Sequence, residues 1–322
     1  MDLKQKIFRN HNPSEFEDLA FEVFRYQFQH CPIYSNYTKA LNREKPSSLS
    51  EIPFLPISFF KSYKIHSSSS EGIDAVFKSS GTGGTRSRHY IQDLSIYEKS
   101  FVLAFQQYIG LPEKFVILGL LPNYVAQGDS SLVYMVSHLM RLSQSIYSKF
   151  ILENTQEIPS LVAAARKEGR QVLLFGVSYS LIDLIDMKID LSGCKVIETG
   201  GMKGRRKELS KAKMHELLVK ELNITELYSE YGMTELLSQA YCKDDLVFST
   251  PPWMEVLYRD QSDPLTIIEG KTSSGINIID LANINSCSFI ATDDLGMKRK
   301  NGFEIIGRIE NSDIRGCNLL VD

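Results

Sequence analysis

The stretch from Lys195 to Glu235 reads KVIETGGMKGRRKELSKAKMHELLVKELNITELYSEYGMTE. Lys195–Glu198 is a run of strand length, and Gly200 and Gly201 follow it. Lys207–Leu222 places apolar side chains at helical spacing, and Ile224–Tyr228 returns to a strand-like run. Strand, helix, strand is the unit that builds a parallel sheet. Ser229-Glu230-Tyr231-Gly232-Met233-Thr234-Glu235 comes directly after the second strand, where open α/β sheets bind their ligands. An aromatic ring, a hydroxyl and a carboxylate within so short a segment can stack a base, meet a phosphate and hold Mg²⁺.

The same alternation extends upstream. Val172–Phe175 reads as a strand and Tyr179–Met187 as a helix, preceded by a helix at Leu161–Gly169. Ser130–Ser148 is helical in period, Phe115–Leu121 is an apolar strand, and Asp93 is placed to cap a helix ending at Gly110. Ala75–Lys78 reads as a short strand entering a Gly/Ser/Thr-rich loop, while Glu44–Ile57, with three prolines, reads as a surface loop. Near the start, Ser14 and Glu17 have capping-box spacing ahead of the stripe Phe16, Leu19, Ala20, Val23, Phe24 and Phe28. Downstream of Tyr241 the pattern changes to short strands at Val247–Ser249, Glu255–Tyr258, Thr266–Ile268, Ile276–Ile279, Ser288–Ala291 and Glu304–Gly307. The expectation is an α/β protein: a body over residues 1–241, its sheets covered by helices, then a β-rich portion over 242–322, with no obvious linker between them.

At 322 residues the chain is long enough to bury a large core without disulfides or metals. Its formal charge of −3 argues against a protein that coats nucleic acid or anionic lipid. No apolar run approaches the ~18 residues of a membrane helix, and the charged N-terminus lacks the apolar core of a secretory signal, so the cytoplasm is the expected compartment. The five cysteines are widely spaced, with no CxxC pair, which points away from a disulfide framework or a zinc ribbon. His215-Glu216 begins like a zincin motif, but Val219 stands where the second ligand belongs.

Ser79-Ser80-Gly81-Thr82-Gly83-Gly84-Thr85-Arg86-Ser87-Arg88 is the other chemical signal. Glycines let backbone N–H groups converge on an anion, hydroxyls add donors, and Arg86 and Arg88 add charge. The loop is neither a Walker A loop nor a dinucleotide fingerprint, and an ordinary surface loop has the same composition. It gains meaning from its company: ETGGMKG (Glu198–Gly204), SEYGMTE, ATDDLG (Ala291–Gly296) and Gly307-Arg308.

SSGTGGT, ETGGMKG, SEYGMTE, ATDDLG and GR, in that order, resemble the adenylate-forming superfamily of acyl ligases and luciferases. GDSSLVYMVSHL (Gly128–Leu139), SEYGMTELLSQAY (Ser229–Tyr241), PPWMEVLYRD (Pro251–Asp260) and IRGCNLL (Ile314–Leu320) are similar to the acyl-protein synthetase family, the fatty acid-activating component of bacterial bioluminescence. The resemblance runs from about Ile7 to the last residue. It implies the large N-terminal-type domain of adenylate-forming enzymes as a single domain over 1–322, with ATP and Mg²⁺ as its requirements. By position, Ser80, Gly81, Thr82, Gly83, Gly84 and Thr85 match the phosphate loop, and Gly200 and Gly201 match the segment passing near adenine. Tyr231, followed by Gly232, matches the adenine-stacking aromatic, Thr234 the α-phosphate hydroxyl, and Glu235 the Mg²⁺-associated carboxylate. Asp294 matches the ribose-binding Asp, with Asp293 where the family has Gly, and Arg308 matches the GR arginine. Arg86 or Arg88 stands in for the loop lysine of the superfamily.

The implied chemistry is attack of a carboxylic acid on ATP to give an acyl-adenylate, then transfer to a cysteine near the C-terminus, a place that Cys317 fits, with Arg315 beside it to favour the thiolate. An acyl-reductase or acyltransferase is the expected protein partner. The superfamily's mobile C-terminal domain, with its catalytic lysine, is expected to be absent, since the sequence stops just past the GR motif. Two other readings stand beside this one: an acyl-CoA ligase of the phenylacetate type, and a non-catalytic nucleotide-binding scaffold. His89, just past the loop, is placed either to touch a phosphate or the acid or to bond backbone. His138 and Trp253 read as packing residues, and Lys203–Lys207 as a solvated helix entry.

Overall fold

The structure, a computed structural model, describes residues 3–67, 72–80, 85–122, 125, 128–151, 154–200 and 210–309. In chain order the elements are α1 (Leu3–Ile7), α2 (Pro13–His30), α3 (Pro32–Ala40), β1 (Leu55–Pro56), α4 (Phe59–Ser62), β2 (Ala75–Lys78) and β3 (Arg88–Ile91). Then come α5 (Leu94–Tyr108), β4 (Phe115–Leu120), α6 (Ser131–Ser143), β5 (Lys149–Phe150), α7 (Ile158–Lys167), β6 (Gln171–Val177), α8 (Ser178–Asp186) and β7 (Cys194–Thr199). The rest are α9 (Lys211–Leu222), β8 (Glu226–Tyr231), β9 (Ala240–Lys243), β10 (Met254–Arg259), β11 (Ile267–Ile268), β12 (Ser274–Asp280), β13 (Phe289–Arg299) and β14 (Gly302–Arg308).

β4, β6 and β7 are buried on both sides along almost their whole length. Strands of that kind need cover on both faces, which is the parallel-sheet solution. They lie in a six-stranded sheet of order β5-β4-β6-β7-β8-β9, parallel throughout except for the antiparallel β8–β9 pair. One face packs Ile117, Leu173, Phe175 and Ile197 against α5 and α6. The other packs Val116, Leu118, Leu174 and Val196 against α7, α8 and α9. A second sheet of order β1-β13-β12-β10-β11, with β14 on β13, forms the β-rich part. β2 and β3 pair as an antiparallel ribbon whose ends bracket the Gly-rich loop, Lys78 opposite Arg88.

Several expectations hold and several shift. Asp93 caps α5, accepting from Ser95 N at 3.1 Å, and Ser130 caps α6. The first long helix begins earlier than Ser14. Asn12 and Glu15 form the reciprocal capping box, with Pro13 at the first helical position, where its fixed φ is pre-organised. α6 stops at Ser143 because Gln144 turns left-handed at φ 55°. Ser148 is then drawn to the sheet, where its Oγ accepts from Ile117 N at 3.0 Å. The proline-bearing stretch is not all loop: Leu55–Pro56 pairs parallel to Ile290–Ala291. Val247–Ser249 contributes isolated bridges, Phe248 to Phe303 and Ser249 to Tyr241, rather than a strand. The β13 strand runs on through Thr292, Asp293 and Asp294 to Arg299, so the ATDDLG motif lies on a strand.

Candidate active site

β7 and β8 end side by side, and their register sets two rows of side chains on opposite faces of the sheet. Glu198 lies opposite Ser229, and Thr199 opposite Glu230. β9 continues the rows, with Cys242 opposite Ser229 and Tyr241 opposite Glu230. Successive residues on a strand point to opposite faces, so Glu198 and Ser229 face α9 while Thr199, Glu230 and Tyr241 face α5.

On the α9 face, Glu198 is fully buried and ionised. Lys211 Nζ lies 3.1 Å from its Oε2 and Ser229 Oγ donates to the same oxygen at 2.9 Å. Ser178 Oγ donates to Oε1, and His215 Nε2 is 3.6 Å from Oε2. Burial alone would raise this carboxyl, but Lys211 and then His215 and Ser178 outweigh it and hold it at about 2. Ser178 Oγ also lies 3.2 Å from the Gly200 carbonyl, so its single proton is shared between that carbonyl and Glu198. Gly200 has φ +75°, a backbone that a glycine adopts without strain.

Tyr231 closes the same face. Its hydroxyl donates to Asp294 Oδ2 at 2.7 Å, and Arg308 Nε donates to Asp294 Oδ1 at 3.2 Å. Asp294 and Arg308 are cross-strand partners on β13 and β14. The Tyr231 ring packs on Phe248 at 5.9 Å and edge-on to Phe303 at 5.5 Å, and Lys211 lies over Phe248. Asp293 points the other way along β13 and is half-buried. Burial raises its carboxyl above the usual range, against the pull of Lys61 and Arg308.

The turn that carries Thr234 and Glu235 is held from behind by buried polar side chains. The His89 ring has Nδ1 at 2.8 Å from the Thr234 carbonyl and Nε2 at 3.0 Å from Asn283 Oδ1. Asn283 Nδ2 donates to the Glu235 carbonyl at 2.7 Å. Asp280 accepts from Leu237 N, Ser238 N and Ser238 Oγ at 2.8, 3.0 and 2.6 Å. Trp253 Nε1 in turn reaches Ser238 Oγ and Ser100 Oγ. His89 is fully buried, and that burial pushes its imidazole down to about 4, so it sits as a neutral strut bonded to backbone. Trp253 packs and also ties a hydrogen-bond network. His138 lies 3.1 Å from Glu98 on the side of α6.

Glu235 is buried, and burial raises its carboxyl while a hydrogen bond from Ser87 opposes the rise. Among the described residues no three His, Cys, Asp or Glu side chains cluster as a metal cage. A lone carboxylate that shares Mg²⁺ with nucleotide phosphates is how this ion is usually held, and Glu235 fits that pattern. At the base of the Gly-rich loop, Arg86 donates to Asp129 Oδ1 and Oδ2 at 2.7 and 3.2 Å and to the Ser79 and Lys78 carbonyls. Lys78 reaches the same Asp129 at 3.0 Å. Ser80 is half-buried, and Thr85 and Arg88 are exposed at the loop's mouth. Gly81, Thr82, Gly83, Gly84, Gly201, Lys203–Lys207, Arg315 and Cys317 lie outside the described residues.

Four of the sequence-derived residues, Tyr231, Asp294, Arg308 and Gly200, thus meet at one end of the sheets, with Thr234 and Glu235 on the adjoining turn. Sequence reasoning missed the supports: Glu198, Lys211, Glu230, Asp280 and Asn283. For Glu198 and Asp280 the signal was present as an acid at the end of an apolar run, in KVIE and again in INIID.

A family model described as "Acyl-protein synthetase, LuxE" matches residues 8–322. The long-chain-fatty-acid–luciferin-component ligase of Aliivibrio fischeri is 22% identical over 335 residues, spanning 94% of this chain and 86% of that protein. Its counterpart in Vibrio harveyi is 20% identical over 324 residues, spanning 92% and 84%. Among solved structures, an open conformation of 2-hydroxyisobutyryl-CoA ligase with 2-HIB-AMP and CoA has TM-score 0.67 at 12% identity, over 94% of this chain and 72% of that one. ATP-bound MatB from Rhodopseudomonas palustris has TM-score 0.55 at 17% identity, over 73% of this chain and 48% of that chain, so the present chain spans about half of MatB. The fold is therefore that of the adenylate-forming ligases. Because the family match takes in all five motifs, from the Gly-rich loop through Arg308, and reaches the final residue, the chain belongs to the acyl-protein synthetase family.

Proposed function

We propose that this protein activates a carboxylic acid with ATP and passes the acyl group to a protein thiol as a thioester. The observation that carries this reading is the junction of Tyr231, Asp294 and Arg308, contributed by three strands of two sheets, beside the Thr234–Glu235 turn. A ring with a carboxylate on its hydroxyl and an arginine on that carboxylate suits a nucleoside: the ring stacks the base and Asp294 accepts from the ribose diol.

In the first step a carboxylate oxygen of the acid forms a bond to the α-phosphorus, the Pα–O bond to the β-phosphate breaks, and pyrophosphate leaves. The protein's work is positioning and charge neutralisation. The Thr234 hydroxyl meets the α-phosphate, with its backbone carbonyl pinned by His89. Glu235 would hold Mg²⁺, which supplies neutralisation of the phosphate oxygens. Arg86, committed to Asp129, gives the Gly-rich loop a fixed base, while Arg88 at the loop's mouth and Arg308 on Asp294 are exposed. In the second step the Cys317 thiolate attacks the acyl carbonyl, the bond to the phosphate oxygen breaks and AMP leaves. The thioester then awaits a reductase or acyltransferase.

Incubation with a radiolabelled acid, ATP and Mg²⁺ should label the protein. Cys317→Ser should abolish the label and spare acid-dependent pyrophosphate release. Labelling that survives that change removes Cys317 from the mechanism, and absence of acid-dependent ATP–pyrophosphate exchange across a panel of acids removes the activation step.

A further inference from the structure

The row on the α5 face has no part in the scheme above. Thr199, Glu230 and Tyr241 stand in register across β7, β8 and β9, a hydroxyl, a carboxyl and a phenol on three neighbouring strands. All three are buried. Thr199 Oγ1 donates to Glu230 Oε2. The other carboxyl oxygen folds back over Gly232: a Cβ there would lie 2.3 Å from Glu230 Oε1 and 3.3 Å from Gln239 Cγ. The glycine of the YGMTE segment thus leaves room for a carboxyl group, and Gln239 flanks it. Burial first, and the Glu230 carboxyl next, raise the phenols of both Tyr97 and Tyr241, which places this acid near both rings.

Tyr241 Oη and Gln239 Oε1 are buried without a hydrogen-bond partner among the described residues. Their side chains are 2% and 3% exposed, so bulk water does not serve them. A phenol with no acceptor and an amide oxygen with no donor, on the face of a carboxyl group, are each costly to leave unmade. The guest that satisfies them both accepts and donates, as a hydroxyl or amino group does. An unbranched hydrocarbon does neither.

Glu230 and Tyr231 are consecutive on β8, so this row lies across the sheet from the proposed nucleotide face. The turn that carries Thr234 leaves β8 directly after this row, four residues past Glu230. Resting on the activation reading above, we infer that Glu230, Tyr241 and Gln239 form a polar subsite for the acyl chain, and that the preferred acid carries a hydroxyl or amino group there rather than being a plain fatty acid.

The test is ATP–pyrophosphate exchange by the full chain with decanoic and tetradecanoic acids and their 2-hydroxy, 3-hydroxy, terminal-hydroxy and matching amino derivatives. A site built to hydrogen-bond a group rejects the analogue lacking it by factors of about 10² or more. The expected result is one substituted acid exceeding its parent in kcat/KM by about 100-fold, with the ratio falling at least tenfold in Tyr241→Phe and in Gln239→Leu. Tyr241→Phe removes only an oxygen that bonds nothing, so its fold is not at risk. If the plain acids are used as well as every substituted one, or if Tyr241→Phe leaves the ratio unchanged, the groups serve bound water alone and the subsite is overturned while activation stands. If no acid supports exchange, the activation reading falls and the subsite falls with it.

Discussion

Replacing Lys211 by Met should destabilise the protein in a way that depends on pH. Met keeps the length of the side chain and its cover over the Phe248 ring but deletes the ammonium 3.1 Å from Glu198. In the wild type, Glu198 has a folded value of about 2 against 4.5 for an ordinary glutamate. Its stabilisation is therefore fully present above pH 4.5 and is lost as pH falls toward 2. That interval corresponds to about 3 kcal/mol, in line with the ~3–5 kcal/mol of breaking a buried pair by removing one partner. Lys211 comes first among the causes that oppose burial, so removing it should cost at pH 7 about 4 kcal/mol, within the range for breaking a buried pair. Without it burial dominates, Glu198 moves above its unfolded value, and its contribution is lost as pH rises. The gap between variant and wild type should thus widen from pH 4 to pH 7. Urea midpoints at pH 4, 5.5 and 7 measure it, and Glu198→Gln combined with Lys211→Met should recover most of the loss at pH 7. Equal midpoints at pH 7, or a gap independent of pH, would refute the claim that this lysine keeps the buried carboxylate charged.

Glu230 carries the opposite sign. Burial raises it from 4.5 to about 7, so its folded-state advantage is present below pH 4.5 and disappears as pH rises through 7. Glu230→Gln should leave stability unchanged at pH 4.5 and raise it by up to about 3 kcal/mol at pH 8, read from thermal melts. Tyr231→Phe takes the donor from the buried Asp294 Oδ2 and should weaken ATP binding about tenfold by calorimetry and lower stability by about 1 kcal/mol in urea melts. Asn283→Leu strips the Glu235 carbonyl of its donor; a fall in kcat of about 10-fold or more, with the KM for ATP moving less, is expected if the turn positions the transition state rather than the nucleotide.

The parallel sheet was legible because its strands are buried on both faces and so read as unbroken apolar runs, as in Phe115–Leu120 and Gln171–Val177. The cap at Asp93 was legible because a side chain and a backbone N–H two residues on settle it locally. The pairing of Leu55–Pro56 with Ile290–Ala291 was not, since nothing local encodes a parallel partner so distant in sequence. The helix end at Gln144 depends on Ser148 reaching β4, again a tertiary event. In the site, Tyr231, Asp294 and Arg308 were found through their motifs. Asn283 and Asp280 were not, because they act on backbone atoms of a turn that follows them in space rather than in sequence.

The two glutamates explain why the strand ends divide the labour. Glu198 and Glu230 occupy neighbouring strands, one register position apart, and both are buried. Glu198 faces α9, where Lys211 and His215 reach it, and burial is overcome. Glu230 faces α5, where Tyr97 and Tyr241 lie near it and Thr199 donates to it, and burial prevails. Opposite charge states of one residue type therefore follow from which face of the sheet each side chain takes, a consequence of the two-residue period of a strand. The charged carboxylate sits beneath the adenine-matched segment, and its donor Ser178 lies 3.2 Å from the Gly200 carbonyl. Beside the near-neutral one, Tyr241 Oη and Gln239 Oε1 lack hydrogen-bond partners among the described residues, and natural proteins keep such costly groups where a ligand uses them. On that reasoning the nucleotide belongs to the face with the ion pair, and the acid to the face with the half-neutral carboxyl.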